Sequence, residues 1–570
     1  MVTYLEYKLI KDSLNDLDRI QETVFLNRGI ENIERFTHLS EKDELPYELL
    51  DHIHEAVDLY LKHLEAGNHI HIIVDSDTDG YTSAAILYMY TKELYPDCNL
   101  TYSLHTGKQH GLSKDIDVGK KVDLLIIPDA GTNDTDECKA VKDMGVDVLI
   151  LDHHDSELEN PYAIIVNNQM CNYPNKFLSG VGVVYKFLQA VDEETWNNKA
   201  DDYLDLVALG LIGDNMDVRD PETRWLIDKG LRKIHSPVFK ALLKKQEFSM
   251  PKDFSGHDVQ FYIVPLINGM IRCGDSDEKD LMFRAFICQD EMFSYKPRGG
   301  VETEEDIYTR CARLCFNAKT RQKNAQTKCM DKIIESIESQ HADKNKIIFG
   351  NVTDLLDFNL TGVMAIKIAD YFMKPCLLLR KRDGTNVYSG SGRNPDYSPI
   401  PNFKEFLLGL GTFNFVQGHP NAFGVEIERE NIPITIQKSN EILKTVSFEK
   451  CLLVDFILDV EQLTISAIRD LNDLRNYYGS CFSEPQLVVT NIVVTKEMFV
   501  SMKEGKHWKV DLDEGVSIVK FFDSSLQEIF EDHDEITMTV VGKASISNFK
   551  GILQCQLIVT DYEVEGVKNE

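Results

Sequence analysis

The sequence is poor in several features that mark particular protein classes. Its twelve cysteines include no C-x-x-C pair, and no histidine lies near Cys311 and Cys315, so we do not expect a structural zinc site. No apolar run reaches the roughly 18 residues that cross a membrane. Charges are spread through the first twenty residues, which lack the apolar core of a signal peptide. We therefore expect a cytoplasmic protein with reduced thiols and no membrane partner.

Positive charge is also scarce. The chain has 61 Lys and Arg against 93 Asp and Glu, for a formal net charge of −32. Because nucleic-acid binding depends largely on the neutralisation of phosphates, this composition alone argues against a polyanionic partner. Net charge is a sum over the whole chain, however, and it can conceal a basic cleft or a cluster of carboxylates that binds metal.

Apolar runs alternate with helical patterns in the first half of the chain. The runs cover 69–74, 122–128, 146–152 and 162–168, and helical patterns cover 83–95 and 135–145. Apolar strands between helices indicate a parallel sheet covered on both faces. Ligands of such sheets bind at the carboxyl ends of the strands.

The second half begins with a segment, 301–349, that contains neither glycine nor proline. Its apolar residues recur at near-helical spacing, which predicts a long connecting helix. The basic residues of this helix fit either a solvated face or one wall of a basic cleft. A second α/β unit follows, with glycine-rich segments at 388–401 and 409–427. The final ~110 residues contain short strand patterns typical of a small barrel or sandwich.

Aspartate and histidine residues follow four apolar runs. They are DSDTDG at 75–80, Asp129, DHH at 152–154, and Asp214. We expect all four at strand exits on one edge of the sheet, where carboxylates repel one another unless cations bind. Oxygen ligands with few nitrogens favour Mn²⁺ or Mg²⁺, and the ligands suffice for two ions. Each segment alone could be a helix cap, but the four together favour a metal site.

The motifs DSDTDG, PDAG, DHH and GDNMD, in this order, resemble those of the DHH phosphoesterase superfamily. More narrowly, nearly the whole chain is similar to the RecJ family of single-strand-specific 5′→3′ DNA exonucleases, as a divergent, phage- or prophage-like member. The supporting segments are FLNRGIENIERF (25–36), LSGVGVVYKFLQA (178–190), PLINGMIRCGD (265–275), YSGSGRN (388–394), QGHPNAFG (417–424) and the closing strands at 540–564.

The resemblance implies an α/β fold in which a DHH parallel-sheet domain and a DHHA1 α/β domain are joined by a long helix and followed by a C-terminal OB-like β-barrel. The implied limits are 1–50 for an N-terminal segment that packs on the DHH domain, 51–300 for the DHH catalytic domain, 301–345 for the helix, 346–430 for DHHA1 and 431–570 for the OB-like nucleic-acid-binding domain.

The resemblance also implies roles for individual residues. The implied metal ligands are Asp75, Asp77, Asp79, Asp129, His153 and Asp214, although Asp75 could instead lie beside the ligands. The implied catalytic set is Asp129, His153, His154 and Asp214. The implied substrate-binding set is His154, Arg272, Ser389, Gly390, Gly392, Arg393, Gly418 and His419. Glycine amides can approach phosphate closely, and a guanidinium can bind it with two donors. Phe413, Phe415 and Phe549 could stack on bases or lie in the core.

The expected activity is metal-dependent 5′→3′ exonucleolysis of single-stranded DNA to 5′-mononucleotides, by two-metal hydrolysis with Mn²⁺ or Mg²⁺, in DNA repair, recombination or replication. The expected partner is single-stranded DNA. A single-strand-binding protein or a helicase is a candidate protein partner, and we expect a monomer.

Two alternatives remain open. One is a DHH–DHHA1 phosphodiesterase that acts on nanoRNA or cyclic dinucleotides. Such proteins are usually shorter, lack an OB-like tail, and have a histidine where this chain has Ile73. The other is a catalytically inactive RecJ relative that serves as a replication scaffold. The presence of all five principal ligand positions argues against that role.

Overall fold

The computed structural model describes residues 5–11, 15–107, 109–112, 121–156, 159–395, 397–448, 451–512, 515–549 and 552–569. The chain forms two compact units. The parallel-sheet unit comprises Asn32–Gln322 and Asn476–Ser483, and the second unit comprises Met1–Glu31, Lys323–Arg475 and Glu484–Glu570. None of the helices in the described ranges is both long enough and apolar enough to cross a bilayer.

A five-stranded, all-parallel sheet forms the centre of the parallel-sheet unit. Its strand order is Leu100–Leu104, Ile70–Val74, Leu124–Pro128, Asp147–Asp152 and Ile164–Asn167. The two strands Ile70–Val74 and Leu124–Pro128 are buried at every position, as expected for strands covered on both faces. The four apolar runs of the sequence all form strands here. The fifth strand, Leu100–Leu104, lies at an edge and is partly exposed, and its polar residues hid it from the apolar pattern.

Helices surround this sheet. They are Ile33–Thr37, Ile53–Glu65, Thr78–Leu94, Thr135–Asp143, Gly180–Thr195, Leu204–Gly213, Pro221–Leu231, Pro237–Lys245, Gly256–Asp258, Val264–Cys273 and Ser276–Phe286, with a π-helical turn at Val259–Ile263 and a hairpin of Met292–Tyr295 and Thr303–Asp306. Side chains such as Ile127 and Ile150 of the sheet share a core with Cys138 and Val141 of the helix Thr135–Asp143. This packing fixes the strand ends that carry the site.

The predicted long helix is confirmed as Ile307–Ser339, 33 residues that run from the parallel-sheet unit into the second unit. Its buried residues, among them Ile307, Cys311 and Cys315, recur at helical spacing. On its basic face, Arg310 and Arg313 pair with Glu305, and Arg321 pairs with Glu278. Part of the basic face is therefore engaged by carboxylates of the same unit.

The second unit contains two larger sheets. The five-stranded sheet has the order Phe415–His419, Ala422–Glu428, Val387–Arg393, Cys376–Lys381 and Ile348–Asn351, and is accompanied by the helices Thr361–Phe372, Phe403–Leu410 and Asn431–Ile442. The seven-stranded sheet has the order Phe456–Asp459, Leu487–Thr495, Glu535–Phe549, Ile552–Lys568, Val516–Phe521, His507–Asp511 and Phe499–Met502, with the helices Ile465–Asn472 and Ser525–Asp532. These sheets confirm the expected second α/β region and β-rich C-terminal region.

The start of the chain is held in the second unit. The strand Glu6–Leu9 pairs in parallel with Cys451–Val454, and Ile20–Asn27 forms a short helix. Arg28 makes two hydrogen bonds to the buried Asp455 carboxylate, at 2.8 and 3.1 Å. Of the predicted N-terminal segment 1–50, residues up to Glu31 thus group with the second unit and the remainder with the parallel-sheet unit.

Candidate metal centre

Three neighbouring strands of the parallel sheet deliver acidic residues to one edge. Asp75 follows Ile70–Val74, Asp129 follows Leu124–Pro128, and Asp152 ends Asp147–Asp152. The strands are parallel and adjacent, so their carboxyl ends meet at the same edge. The sequence patterns at these three positions predicted this convergence.

The position of Asp214 corrects one expectation. It does not leave a strand but follows the helix Leu204–Gly213, nine of whose ten residues are buried. A short, continuous apolar run cannot be assigned to strand or helix from periodicity alone, and here the run is a helix enclosed on all sides. The helix nevertheless brings Asp214 to the same edge, because Asp214 Oδ2 lies 3.4 Å from His153 Nε2.

His153 lies at the centre of the cluster. Its Nε2 atom is 3.2 Å from Asp129 Oδ1 and 3.4 Å from Asp214 Oδ2. Ligand atoms of Asp79, His153 and Asp214 all lie within 4.8 Å of one another. A second group with the same spacing consists of Asp129, Asp152, His153 and His154. This spacing is short enough for shared cations.

The cluster contains carboxylate oxygens that lack donors. Among the described residues, no group makes a hydrogen bond to Asp79 Oδ2, Asp129 Oδ1 or Asp214 Oδ2, although all three atoms are buried and His153 Nε2 lies near the last two. Burial raises the pKa of Asp79 to about 6, with Asp77 adding to the shift. Burial and then neighbouring carboxylates raise the pKa of Asp129 and Asp214 well above the ordinary value. Buried charge without a partner is costly.

Divalent cations resolve this cost. Three carboxylates and one imidazole nitrogen form a donor set that suits Mn²⁺ or Mg²⁺. In the metal-free chain, Asp79 and Asp129 are close enough to share a proton, which is the alternative means of reducing their repulsion. The residues of the edge therefore fit the metals that the sequence predicted.

Local backbone structure aims the carboxylates. Asp129 has a φ of 68°, a left-handed conformation that aspartate tolerates better than most residues and that recurs at functional sites. Asp79 lies in the first turn of Thr78–Leu94, and its Oδ1 atom accepts hydrogen bonds from Ser179 Oγ at 2.9 Å and Val181 N at 3.2 Å. One oxygen of Asp79 is thus fixed, while the other belongs to the cluster.

Two glycines allow helices to approach these carboxylates. A Cβ atom at Gly180 would lie 2.3 Å from Asp129 Oδ1, and one at Gly210 would lie 2.6 Å from Asp79 Oδ1. Neither distance is sterically possible without movement. The first glycine of the LSGVG segment, Gly180, is therefore required because its helix passes close to Asp129.

Asp77 has the capping role that its sequence context also allowed. Its Oδ1 atom accepts a hydrogen bond from Gly80 N at 3.0 Å, at the start of Thr78–Leu94. Ligand atoms of Asp75, Asp77 and His110 lie within 4.8 Å of one another. The cap fixes the carboxylate at the edge of the cluster.

The DHH segment contains an orienting residue that the sequence did not single out. Asp152 is fully buried, and it accepts hydrogen bonds from Thr132 N at 3.1 Å and from His154 Nδ1 at 2.8 Å. Burial opposes the charged form of His154, but the Asp152 carboxylate outweighs it and raises the pKa of His154 to about 10. The DHH motif itself was the available signal. His105 and His110, which face Asp75, had no such signal.

Arg272 lies in the same unit as the cluster, in the last turn of Val264–Cys273. Burial lowers its pKa, and the carboxylate of Asp77 is near enough to oppose that shift. Asn268, one turn earlier, accepts a hydrogen bond from Thr78 Oγ1 at 3.1 Å. This helix is therefore attached to the start of Thr78–Leu94, with its arginine close to the site.

The other predicted substrate residues lie in the second unit, where strand pairing brings them together. Ala422 lies on the strand between those that carry Arg393 and His419. In the strand pairing it is opposite Arg393 on one side and opposite His419 on the other. Gly392 and Gly418 are both paired with Phe423, and Ser389 and Gly390 lie further along the same strand as Arg393. The two glycine-rich motifs thus meet at one end of the five-stranded sheet.

The aromatic candidates differ in exposure. Phe413 packs against the core of the second unit, whereas Phe415 is exposed. The side chain of Phe549 lies outside the described part of the chain.

Comparisons with known proteins extend these observations. Residues 69–211 match the model of the DHH family N-terminal domain, and residues 454–561 match the model of the RecJ OB domain. The chain is 36% identical, over 99% of both chains, to an SPbeta prophage-derived protein of Bacillus subtilis (strain 168) described as a single-strand DNA-specific exonuclease. It is 25% identical to the single-stranded-DNA-specific exonuclease RecJ of the same organism, over 95% of this chain and 67% of that protein.

Solved structures share the fold. The crystal structure of RecJ from Thermus thermophilus in complex with Mn²⁺ is 18% identical and has a TM-score of 0.74, over 99% of this chain and 80% of that one. The structure of the same protein with Mg²⁺ is 17% identical and has a TM-score of 0.68, over 99% and 79%. The similarity thus extends across both units of the chain.

Proposed function

The chain belongs to the RecJ family of single-strand-DNA-specific exonucleases, and we propose that it hydrolyses single-stranded DNA from the 5′ end and releases 5′-mononucleotides. The observation that carries this proposal is the set of buried carboxylate oxygens of Asp79, Asp129 and Asp214 around His153, for which the described residues supply no donor. The activity of the similar proteins supports the choice of substrate.

The cluster would hold two Mn²⁺ or Mg²⁺ ions. The ligands we propose are Asp77, Asp79, Asp129, His153 and Asp214, with Asp129 in the middle of the set. When bound, the ions lower the pKa of the attacking water and offset the charge of the phosphate. The protein fixes the ligands before substrate arrives, through the left-handed backbone at Asp129 and the helix amide that holds Asp79.

His154 would contact the scissile phosphate. Its ring is half-exposed, and Asp152 holds the Nδ1 atom. A carboxylate beside one ring nitrogen favours the charged imidazolium. The Nε2–H group can then donate a hydrogen bond to a non-bridging oxygen of the phosphate. Arg272, in the same unit, would bind a phosphate oxygen with its guanidinium.

The second unit would bind the strand through its glycine-rich end. Arg393 and His419 supply positive or polar groups to phosphate, and the backbone N–H groups of Gly390, Gly392 and Gly418 can approach phosphate without obstruction by a Cβ atom. We include Ser389 in this set because it lies on the same strand. The domain limits given from the sequence remain predictions.

Substrates blocked at one end test the direction of digestion. With Mg²⁺ present, we expect digestion as far as the block for a single strand whose 3′ end carries phosphorothioates, and no digestion when the 5′ end carries them. A duplex without overhangs should stay intact. Digestion of the 5′-blocked strand alone would refute the polarity, and rapid cleavage of cyclic dinucleotides with the long strand untouched would favour the phosphodiesterase alternative.

On the same ground we propose a role in DNA repair, recombination or replication, with single-stranded DNA as the partner and the chain acting as a monomer. A single-strand-binding protein or helicase would present the strand. Light scattering of the purified protein during size-exclusion chromatography checks the monomer, since a mass near 65.1 kDa is expected.

A further inference from the structure

Two aspartate–histidine pairs flank Asp129. Asp75 and His110 lie at the exit of the strand on one side, and Asp152 and His154 lie at the strand on the other side. In each pair a buried carboxylate faces the Nδ1 atom of a partly exposed ring. The distances are 2.6 Å for His110 and 2.8 Å for His154, and the histidine side chains are 47% and 50% exposed.

We propose that His110, positioned by Asp75, binds a second phosphate group of the DNA strand, next to the scissile phosphate that His154 contacts. This inference rests on the proposed function and adds a substrate-binding residue to it. It also assigns Asp75, which the resemblance left open between a metal ligand and a residue beside the ligands, the role of a positioning residue.

The hydrogen bonds of Asp75 favour this role. Its Oδ2 atom faces His110 Nδ1, and its Oδ1 atom accepts a hydrogen bond from Gly111 N at 3.0 Å. His105 Nε2 lies 3.9 Å from the same Oδ1 atom. Both oxygens of Asp75 therefore face protein nitrogens. Asp79, Asp129 and Asp214, by contrast, each keep an oxygen to which the described residues donate nothing.

The orientation of the ring follows from this contact. A carboxylate on Nδ1 fixes the tautomer and the plane of an imidazole, as it does for histidines at many catalytic and metal sites. The opposite edge, which carries Nε2, then faces away from Asp75. A ring held in this way contributes a hydrogen bond to an anion with little loss of side-chain entropy.

Strand spacing indicates that the two histidines serve different phosphates. The strands that carry Asp75 and Asp152 are separated by one intervening strand, which places them roughly 10 Å apart. Two neighbouring phosphate groups match that separation better than one does. A polynucleotide, in which phosphates repeat along the backbone, supplies them.

The test compares a substrate that has many phosphates with one that has a single phosphate. The first is a 5′-phosphorylated twelve-residue oligothymidylate, and the second is the p-nitrophenyl ester of thymidine 5′-monophosphate, both with Mn²⁺. The variants are His110→Ala, Asp75→Asn and their combination. His54→Ala, an exposed histidine of the same unit on the helix Ile53–Glu65, is the matched control.

We expect His110→Ala to raise the KM for the oligonucleotide about tenfold or more, the usual effect of losing one hydrogen bond to a charged group, with little change in kcat. Hydrolysis of the ester should be unchanged, because it has no second phosphate. Asp75→Asn should act in the same direction, and the double variant should be no worse than His110→Ala, since Asp75 acts through His110. His54→Ala should match the unmodified protein.

Three results would overturn the proposal. They are an unchanged KM for the oligonucleotide in His110→Ala, an equal loss on both substrates, and a lower manganese content of His110→Ala by mass spectrometry, which would identify Asp75, Asp77 and His110 as a cation site. If Asp75→Asn does not fold, the exposed His110 variant still decides.

A binding measurement separates this inference from the proposed function. If the unmodified protein degrades neither substrate with Mn²⁺, the proposed function fails. The anisotropy of a fluorescent oligothymidylate with Ca²⁺ then tests His110 alone. Weaker binding by about tenfold in His110→Ala supports its contact with phosphate, and unchanged binding refutes it.

Discussion

Replacement of Asp129 by asparagine should have opposite effects on stability without and with metal. The substitution removes one charge from the cluster but keeps the size of the side chain and its tolerance of the left-handed backbone at φ 68°. In the metal-free protein, Asp129 is buried against Asp79 and Asp77, and its pKa is raised accordingly. We therefore expect Asp129→Asn to stabilise the metal-free protein.

The size of each effect can be worked out. An uncompensated buried charge costs several kcal/mol, but proton sharing with Asp79 offsets part of this, so we expect a gain of about 1–2 kcal/mol for the metal-free variant. The entropy of unfolding of a protein of this size is roughly 1.2 kcal/mol/K, so that gain corresponds to a rise in Tm of about 1–2 °C. At a Mn²⁺ concentration of 100 times the Kd, the unmodified protein gains about 2.7 kcal/mol. The variant should gain much less, because it lacks the central ligand.

The assay is thermal unfolding in EDTA and in Mn²⁺, with exonuclease activity measured in parallel. Asp205→Asn is the matched control, because Asp205 is also a buried aspartate of the parallel-sheet unit but accepts hydrogen bonds from His235 N and Ser236 N at 2.7 Å each. That control should lose stability in EDTA and keep its full response to Mn²⁺. A variant Asp129→Asn that is less stable than the unmodified protein in EDTA, or that responds equally to Mn²⁺, would refute the reasoning.

Three further substitutions test other parts of the structure. Gly180→Ala places a Cβ atom 2.3 Å from Asp129 Oδ1, so we expect a loss of about 1–3 kcal/mol of stability. Calorimetry should also show weaker Mn²⁺ binding, and normal binding would contradict the close approach. Asp152→Asn removes the carboxylate that faces His154 Nδ1, so kcat should fall by about 10–100-fold while two Mn²⁺ ions are retained. Loss of an ion in this variant would instead identify Asp152 as a metal ligand. Arg28→Met leaves the Asp455 carboxylate buried without its ion pair and should cost about 3–5 kcal/mol of stability, seen as a lower Tm. The double variant Arg28→Met with Asp455→Asn should partly restore the Tm. An unchanged Tm in Arg28→Met would refute the role of that pair.

Much of the fold was predictable because its signals are local. Four continuous apolar runs became four strands of the parallel sheet, and the stretch 301–349 without glycine or proline contains the helix Ile307–Ser339. Acidic residues at the end of one strand and directly after two others predicted the edge at which these strands meet. In each case burial on both faces of an element leaves a pattern in consecutive residues.

The remaining features depend on contacts between distant segments. The helix that precedes Asp214 is buried on every side, so its apolar residues show no helical period that could be recognised in the sequence. The strand Glu6–Leu9 pairs with Cys451–Val454, and no pattern in either segment identifies the other. His110 meets Asp75 from 35 residues away. Such pairs are chosen by the tertiary fold, not by local spacing.

The central claim is that the carboxylate cluster at the edge of the parallel sheet drives metal-dependent removal of nucleotides from the 5′ end of single-stranded DNA. A time course with 5′-labelled single-stranded DNA tests it most directly, with Mn²⁺ or EDTA and with the unmodified protein or Asp129→Asn. We predict that the unmodified protein with Mn²⁺ releases labelled mononucleotide as its first product, and that EDTA or the substitution stops the release. A ladder of shortening labelled strands, or full activity of Asp129→Asn, would contradict the account.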